Sequence, residues 1–202
     1  MYEGNFNNGK FNGNGKIILE SGKYYIGQFK NGLPNGKGTL YYSNGNIMYE
    51  GDVVNNKPEG NGKFICEDGE YYIGQFKNEL PNGKGTLYYS NGNILYEGNY
   101  INDKREGNGK CIIENGNYYI GTWENGRAYG KGYLFYSNGK IAYKGDFVNG
   151  KPDGIGHYIY ENGEYYIGNW RNCLKHGKGT LYYPNGKIKQ EGNWIYDIFI
   201  GN

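Results

Sequence analysis

Two histidines, His157 and His176, are the side chains whose ordinary titration falls near neutral pH, and they are the first candidates for acid–base catalysis. They sit in different copies of a repeat at loosely related positions, with no convergent nucleophile, acid or ligand set, and the chain reads as non-enzymatic with no catalytic residue. His157 takes a position held elsewhere by Lys16, Lys63 and Lys110, which predicts an exposed polar place on a strand; His176 is expected in a solvated loop before Gly177. Cys66, Cys111 and Cys173 occupy unrelated positions, whereas a disulfide framework or zinc site would pair them at ligand spacing, so no metal and no cofactor is expected. Eight Gly-x-Gly pairs, from Gly13/Gly15 to Gly177/Gly179, have the composition of a phosphate cradle. Such cradles open a helix in a βαβ unit, and no segment here has a sustained helical period. One further chemistry is spaced regularly: Lys37, Lys84, Lys131 and Lys178 recur every 47 residues, a row that could meet anionic lipid headgroups. Glu3, Glu50 and Glu97 on the same face dilute that positive potential.

The elements that hold these residues follow from a lattice of glycines. All thirty-eight but Gly201 recur with a period of 23 or 24 residues, anchored by an aromatic two residues before a glycine, as in Tyr2/Gly4, Tyr25/Gly27 and Tyr143/Gly145. This divides residues 1–189 into eight repeats starting near 2, 25, 49, 72, 96, 119, 143 and 166, and leaves 190–202 as a partial ninth repeat opened by Gln190. Within a repeat, Tyr25-Ile26-Gly27-Gln28-Phe29 and Gly38-Thr39-Leu40-Tyr41-Tyr42 alternate as strands do, and dipeptides such as Ser21-Gly22 and Asn44-Gly45 supply turns. The fold class is therefore all-β: an elongated single-layer antiparallel β-meander of stacked hairpins, a twisted ribbon growing by roughly 10 Å per repeat.

The alternation of 23 and 24 residues predicts two turn types, because a one-residue slip would turn a strand's apolar set to the wrong face. A three-residue loop Glu20-Ser21-Gly22 would pair Gly15 with Gly27, and a two-residue turn Asn44-Gly45 would pair Gly38 with Gly51. In that register Phe29 is expected over Gly13 and Gly38, the bare backbone making room for its ring, with Phe6, Val53, Phe76, Tyr100, Trp123, Phe147, Trp170 and Trp194 in the same position of other repeats. Tyr41, Tyr88, Phe135 and Tyr182, interleaved with Ile18, Ile65, Ile112 and Ile159, add an apolar stripe to the second face. A one-layer sheet cannot bury both faces, so either a partner covers one or side chains packing along it mask it.

Charge narrows the partners. With 22 basic and 20 acidic residues the net charge of +2 lacks the basic footprint of a nucleic-acid binder. The chain enters its first repeat at Tyr2 without a charged-then-apolar leader and has no run of about 18 apolar residues, so a cytoplasmic location in a reducing compartment is expected.

The recurring Tyr-Glu-Gly-Asn-Phe, Asn-Gly-Lys and Gly-x-Gly elements at these offsets resemble MORN repeats, named for the membrane occupation and recognition nexus. The resemblance spans nearly the whole chain; Gln190, and Asn56, Glu79, Asp103 and Cys173 where a turn glycine is expected, are its departures. Proteins with such repeats include membrane-junction proteins, phosphatidylinositol phosphate kinases, radial spoke head proteins, cytoskeletal scaffolds and a lysine methyltransferase, and in the enzymes the chemistry belongs to another domain. The resemblance implies cytoskeletal, ciliary or membrane-associated settings.

The expected function is a scaffold that docks a helix or extended peptide of another protein on its aromatic-rich sheet, with Phe29, Phe76, Trp123 and Trp170 as contacts, since large aromatics dominate binding hot spots. The alternatives are a phosphoinositide or anionic-membrane module using Lys37, Lys84, Lys131 and Lys178, and an accessory subunit or regulatory fragment of an enzyme such as a phosphatidylinositol phosphate kinase. The apolar run Trp194–Ile200 is expected to cap the array or to be an edge through which the chain forms a homodimer.

Overall fold

The computed structural model describes residues 1–113 and 115–202. Among the described residues there are eighteen strands and no helix. The chain divides into two compact units, Met1–Lys104 and Arg105–Asn202. In the first, β1 (Tyr2–Asn7), β2 (Lys10–Ile18), β3 (Tyr24–Lys30), β4 (Leu33–Tyr41), β5 (Ile47–Val54), β6 (Lys57–Ile65), β7 (Tyr71–Lys77), β8 (Leu80–Tyr88) and β9 (Ile94–Ile101) each pair antiparallel with the next. In the second, β10 (Lys104–Ile112), β11 (Tyr118–Glu124), β12 (Arg127–Phe135), β13 (Ile141–Val148), β14 (Lys151–Ile159), β15 (Tyr165–Arg171), β16 (Leu174–Tyr182), β17 (Ile188–Ile195) and β18 (Ile198–Gly201) do the same. Each unit is a single-layer meander of hairpins.

Two turns alternate along each meander. The first is a two-residue hairpin with both central residues at positive φ, Asn31 at 52° and Gly32 at 91°, the conformation whose twist matches that of paired strands. The second is a three-residue loop, in which the Leu19 N–H donates to Lys23 O at 2.8 Å and the Gly22 N–H to Leu19 O at 3.0 Å. The two-residue turn expected at Asn44-Gly45 does not form there: the Tyr42 N–H donates to Asn46 O at 2.9 Å and the Gly45 N–H to Tyr42 O at 3.0 Å, so Ser43-Asn44-Gly45 is the same three-residue loop. The extra residue of the 24-residue repeats goes into the strand instead. Leu40 pairs with Tyr49 but Tyr41 pairs with Ile47, which leaves Met48 as a bulge, and Leu95, Ala142 and Lys189 are bulged in the same way. A bulge restores the facing of side chains beyond it, so the glycine registers Gly15/Gly27 and Gly38/Gly51 hold as the sequence predicts.

The ring that covers the glycines is also a different one. Phe29 lies opposite Gly13 on β2, but on β4 its partner is Pro34, because the register slips between Gly27 and Phe29. The bare backbone of Gly27 and Gly38 lies instead beneath the anchor Tyr25, and a Cβ added to either glycine would run into that ring. The same relation holds for Tyr49 over Gly51 and Gly62, and for Tyr143 over Gly145 and Gly156. The slip leaves Gln28 outside the backbone register with β4; its side-chain Oε1 accepts the Lys37 N–H at 3.0 Å and its carbonyl accepts the Tyr25 hydroxyl at 3.3 Å. Every anchor tyrosine repeats this bond to the residue three positions on, from Tyr2 to Asn5 O at 3.0 Å to Tyr166 to Asn169 O at 3.2 Å. Burial raises the phenol pKa to about 12 for Tyr119 and Tyr166.

Candidate functional site

The four aromatics expected to meet a partner are packed into this layer. Phe29, Phe76, Trp123 and Trp170 are 3%, 4%, 7% and 7% exposed. Phe29 meets Tyr25 edge-on with ring centroids 5.4 Å apart, and Trp170 meets both Tyr143 at 5.5 Å and Tyr166 at 5.3 Å. The indole N–H of Trp123 donates to Gly109 O and that of Trp170 to Gly156 O, both at 3.3 Å. This face is masked by its own side chains, an arrangement a one-layer sheet reaches when rings lie flat on glycine backbone and abut edge-to-face.

The four lysines spaced by 47 residues lie on the second face, and they are not equivalent. Lys37 pairs with Asp52 at 2.7 Å and Lys131 with Asp146 at 2.6 Å, whereas Lys84 and Lys178 stand opposite the neutral Asn99 and Asn193. Lys16, Lys63 and Lys110 place their ammonium groups 4.8, 4.5 and 4.5 Å over the rings of Tyr24, Tyr71 and Tyr118. Tyr24 stacks in turn on Tyr41, and Tyr71 on Tyr88, at 4.5 and 4.6 Å.

The second face has a cross-strand row with a chemical period. In the first unit it runs Glu3, Lys16, Ile26, Thr39, Glu50, Lys63, Ile73, Thr86 and Glu97, each opposite the next. Opposite charges face each other, and the isoleucines Ile26 and Ile73 are 42% and 44% exposed. In the second unit the row runs Lys110, Ile120, Tyr133, Lys144, His157, Ile167, Thr180 and Glu191. Tyr133 stands where a threonine is due, Lys144 where a glutamate is due, and His157 where a lysine is due. Beside them Ile155, 64% exposed, replaces the asparagine seen at Asn14, Asn61 and Asn108.

These substitutions meet in an open groove of about 340 Å3 that also includes Lys131 and Ile167. Its electrostatics differ from the rest of the row. Lys144 takes part in none of the ion pairs found among the described residues, and opposite it stands His157 where the first unit would put an acid beside a lysine. His157 is half-buried, not exposed as expected, with its Nε2 enclosed and without a hydrogen-bond partner. Burial, helped by the Lys144 charge, holds its pKa below the usual histidine value, so it is neutral at pH 7. His176 belongs to β16 rather than a loop, half-buried with its ring 4.9 Å from Tyr196. The cysteines are free, and Cys173 is an exposed turn residue.

Sequence reasoning compared His157 with its counterparts in other repeats but did not extend that comparison to Tyr133, Lys144 and Ile155. The signal was present at a spacing of 47 residues, where each position has its own internal control.

Models of the MORN repeat match residues 2–24, 25–47, 49–71, 72–94, 96–118, 143–165 and 166–188. The intervening stretch is matched by a MORN repeat variant over residues 128–149, which contain Tyr133 and Lys144. No curated protein matches the chain. Among solved structures it is similar to a mutant of the TCP10 domain of Danio rerio CPAP, 13% identical over 90% of this chain and 89% of that one, with a TM-score of 0.38. It is also similar to a protein of unknown function from Bacteroides caccae, 12% identical over 89% and 80% of the two chains, with a TM-score of 0.21. Neither likeness is close enough to bear on activity. The repeat matches, which together cover most of the sequence, establish that the chain belongs to the MORN-repeat family.

Proposed function

We propose that this chain is a non-enzymatic scaffold that docks a partner protein on the second face of its sheet. The observation that carries the reading is the contrast between the faces. Phe6 apart, which is 61% exposed, the anchor tyrosines and the ladder aromatics close one face of each unit over itself, while Ile26 and Ile73 in the first unit and Ile120 and Ile167 in the second stand 40–44% exposed on the other. Within each unit such exposed isoleucines suit an extended ligand, since exposed apolar surface is characteristic of interaction sites. Phe29, Phe76, Trp123 and Trp170 serve this function by holding the sheet that presents the row. The scattered placement of His157 on β14 and His176 on β16, with no shared nucleophile, supports the non-enzymatic part.

The test is recovery of partners from native cells by proximity labelling with the intact chain and with Ile120→Lys/Ile167→Lys, both exposed positions. Loss of a specific partner set from the variant is the expected result; an unchanged set would reject the face. An anionic membrane is the weaker reading, since Asp52 and Asp146 neutralise two of the four spaced lysines. Binding to anionic liposomes at low salt that is lost on neutralising Lys84 and Lys178 would revive it.

A further inference from the structure

We propose that the groove over β12 to β15 is a binding site for an extended acidic peptide, whose carboxylate sits between Lys144 and His157 while apolar side chains on either side cover Tyr133 and Ile167. The inference deepens the docking reading above by naming the ligand chemistry.

Three observations carry it. First, charge: the repeat's own rule puts opposite charges across neighbouring strands, as Glu50 opposite Lys63, and the groove breaks it with Lys144 opposite His157. An external carboxylate supplies the missing acid. Second, an imidazole: His157 lines the groove half-buried opposite Lys144, and its ring can donate a hydrogen bond to a carboxylate bound there. Third, spacing: Tyr133, Lys144, His157 and Ile167 lie on four successive strands, so the apolar ends are separated by about 14 Å. A peptide crossing them in extended form covers about 14 Å between residues i and i+4, with i+2 on the same side. The motif apolar-x-acidic-x-apolar therefore matches the row apolar, cationic, imidazole, apolar.

A carboxylate fits better than a phosphate. Lys144 supplies one positive charge and His157 is neutral before a ligand arrives, while Asp146, already paired with Lys131 at 2.6 Å, would repel a doubly charged group at the groove's edge. A lipid surface would in addition need the lysine row to be free along its length, which the Lys37–Asp52 pair prevents in the first unit.

Binding is also expected to take up a proton. The groups facing His157 are Lys144 across from it on β13, Asp146 further along the same strand, Lys131 on β12 and the Tyr165 ring 5.3 Å away on β15. Burial and the Lys144 charge favour the neutral imidazole of His157, and a carboxylate beside it favours the protonated form, so the peptide should bind more tightly at lower pH.

The test uses the full chain and fluorescein-labelled nonapeptides with a central Leu-x-Glu-x-Leu or Leu-x-Gln-x-Leu core, read by anisotropy at pH 7.5 and 5.5, beside vesicles containing phosphatidylserine. Lys144→Glu and Ile155→Asn install residues that the same positions hold in other repeats, and unchanged melting confirms their fold. The glutamate peptide should bind at least tenfold tighter than the glutamine peptide, lose that advantage in Lys144→Glu, and weaken in Ile155→Asn. Its pH dependence should vanish in His157→Gln. Equal binding of the two peptides, no binding of either, full affinity in Lys144→Glu, or Lys144-dependent binding to vesicles alone would each overturn the proposal. If cellular partners are still recovered by Lys144→Glu but not by Ile120→Lys/Ile167→Lys, the acidic-peptide site falls while the scaffold reading stands.

Discussion

The ring of Tyr143 occupies the space in which a Cβ on Gly156 would stand, and the three atoms nearest that position all belong to Tyr143. The two residues are on adjacent strands, with the Tyr143 hydroxyl donating to Asp146 O at 3.1 Å and the ring fully buried. The glycine is selected by its neighbour's ring, not by its own torsion, since Gly156 is not at positive φ.

A double-mutant cycle follows from that relation. Gly156→Ala should destabilise by about 1–3 kcal/mol through overpacking, and Tyr143→Ala by about 3–5 kcal/mol through loss of the buried ring. In the double variant the alanine methyl meets an empty site, so the losses should be less than additive by at least about 1 kcal/mol. Urea unfolding of the four proteins measures the coupling, and strict additivity would show that the ring does not rest on that glycine.

The turns predict a different dependence on glycine. Gly126 is at φ 82° with nothing within 4 Å of a built Cβ, so Gly126→Ala should cost about 1–2 kcal/mol from backbone conformation alone. Cys173 occupies the equivalent turn position at φ 72° without the benefit of being glycine. Cys173→Gly relieves that strain but loosens the unfolded chain by about 0.4–1 kcal/mol, so a net gain of about 0.5–1 kcal/mol is expected. Thermal melts of the two variants should shift in opposite directions; a shared direction would contradict the strain argument.

The strand and hairpin pattern, the glycine register and the anchor tyrosines were legible because a repeat displays each local rule eight times over. What escaped was the division of labour within the rules. Parity could not tell a two-residue turn from a bulge at Met48, since either returns Tyr49 to its face, and only the Tyr42–Asn46 hydrogen bond separates them. Nor could alternation tell whether Tyr25 or Phe29 covers Gly38, because the two rings share a face and the slip between Gly27 and Phe29 decides. The groove escaped for the opposite reason: Tyr133, Lys144 and Ile155 are single departures, and only their placement on neighbouring strands makes them a group.

Acid should expose a pair of carboxylates. The hydrogen-bonded ammonium of Lys131 holds the Asp146 pKa below the ordinary aspartate value, partly opposed by burial, with the Ile155 N–H donating at 2.9 Å; Lys37 and the Asn61 N–H act likewise on Asp52. Because folding lowers these pKa values, the unfolded chain takes up protons first as the pH drops. The stabilisation is therefore complete above about pH 4 and is lost as the pH falls through the folded-state values. Asp146→Asn and Asp52→Asn should each flatten the fall of stability between about pH 4 and pH 2; an unchanged slope in both would remove the carboxylates as its cause.

Among the described residues β18 pairs with β17 and with no other strand, Phe199 packs on Trp194 with ring centroids 5.2 Å apart, and Ile198 and Ile200 remain 67% and 56% exposed. An open edge carrying apolar side chains is a template for strand addition, and lysines there are a common natural block. Homodimers through this edge are the expected consequence, and Ile198→Lys/Ile200→Lys should leave the fold unchanged, since neither side chain is buried, while abolishing the concentration-dependent mass increase in sedimentation equilibrium. A monomeric parent, or a dimer that survives the two lysines, would assign β18 to capping alone, with Phe199 closing over Trp194 as its whole contribution.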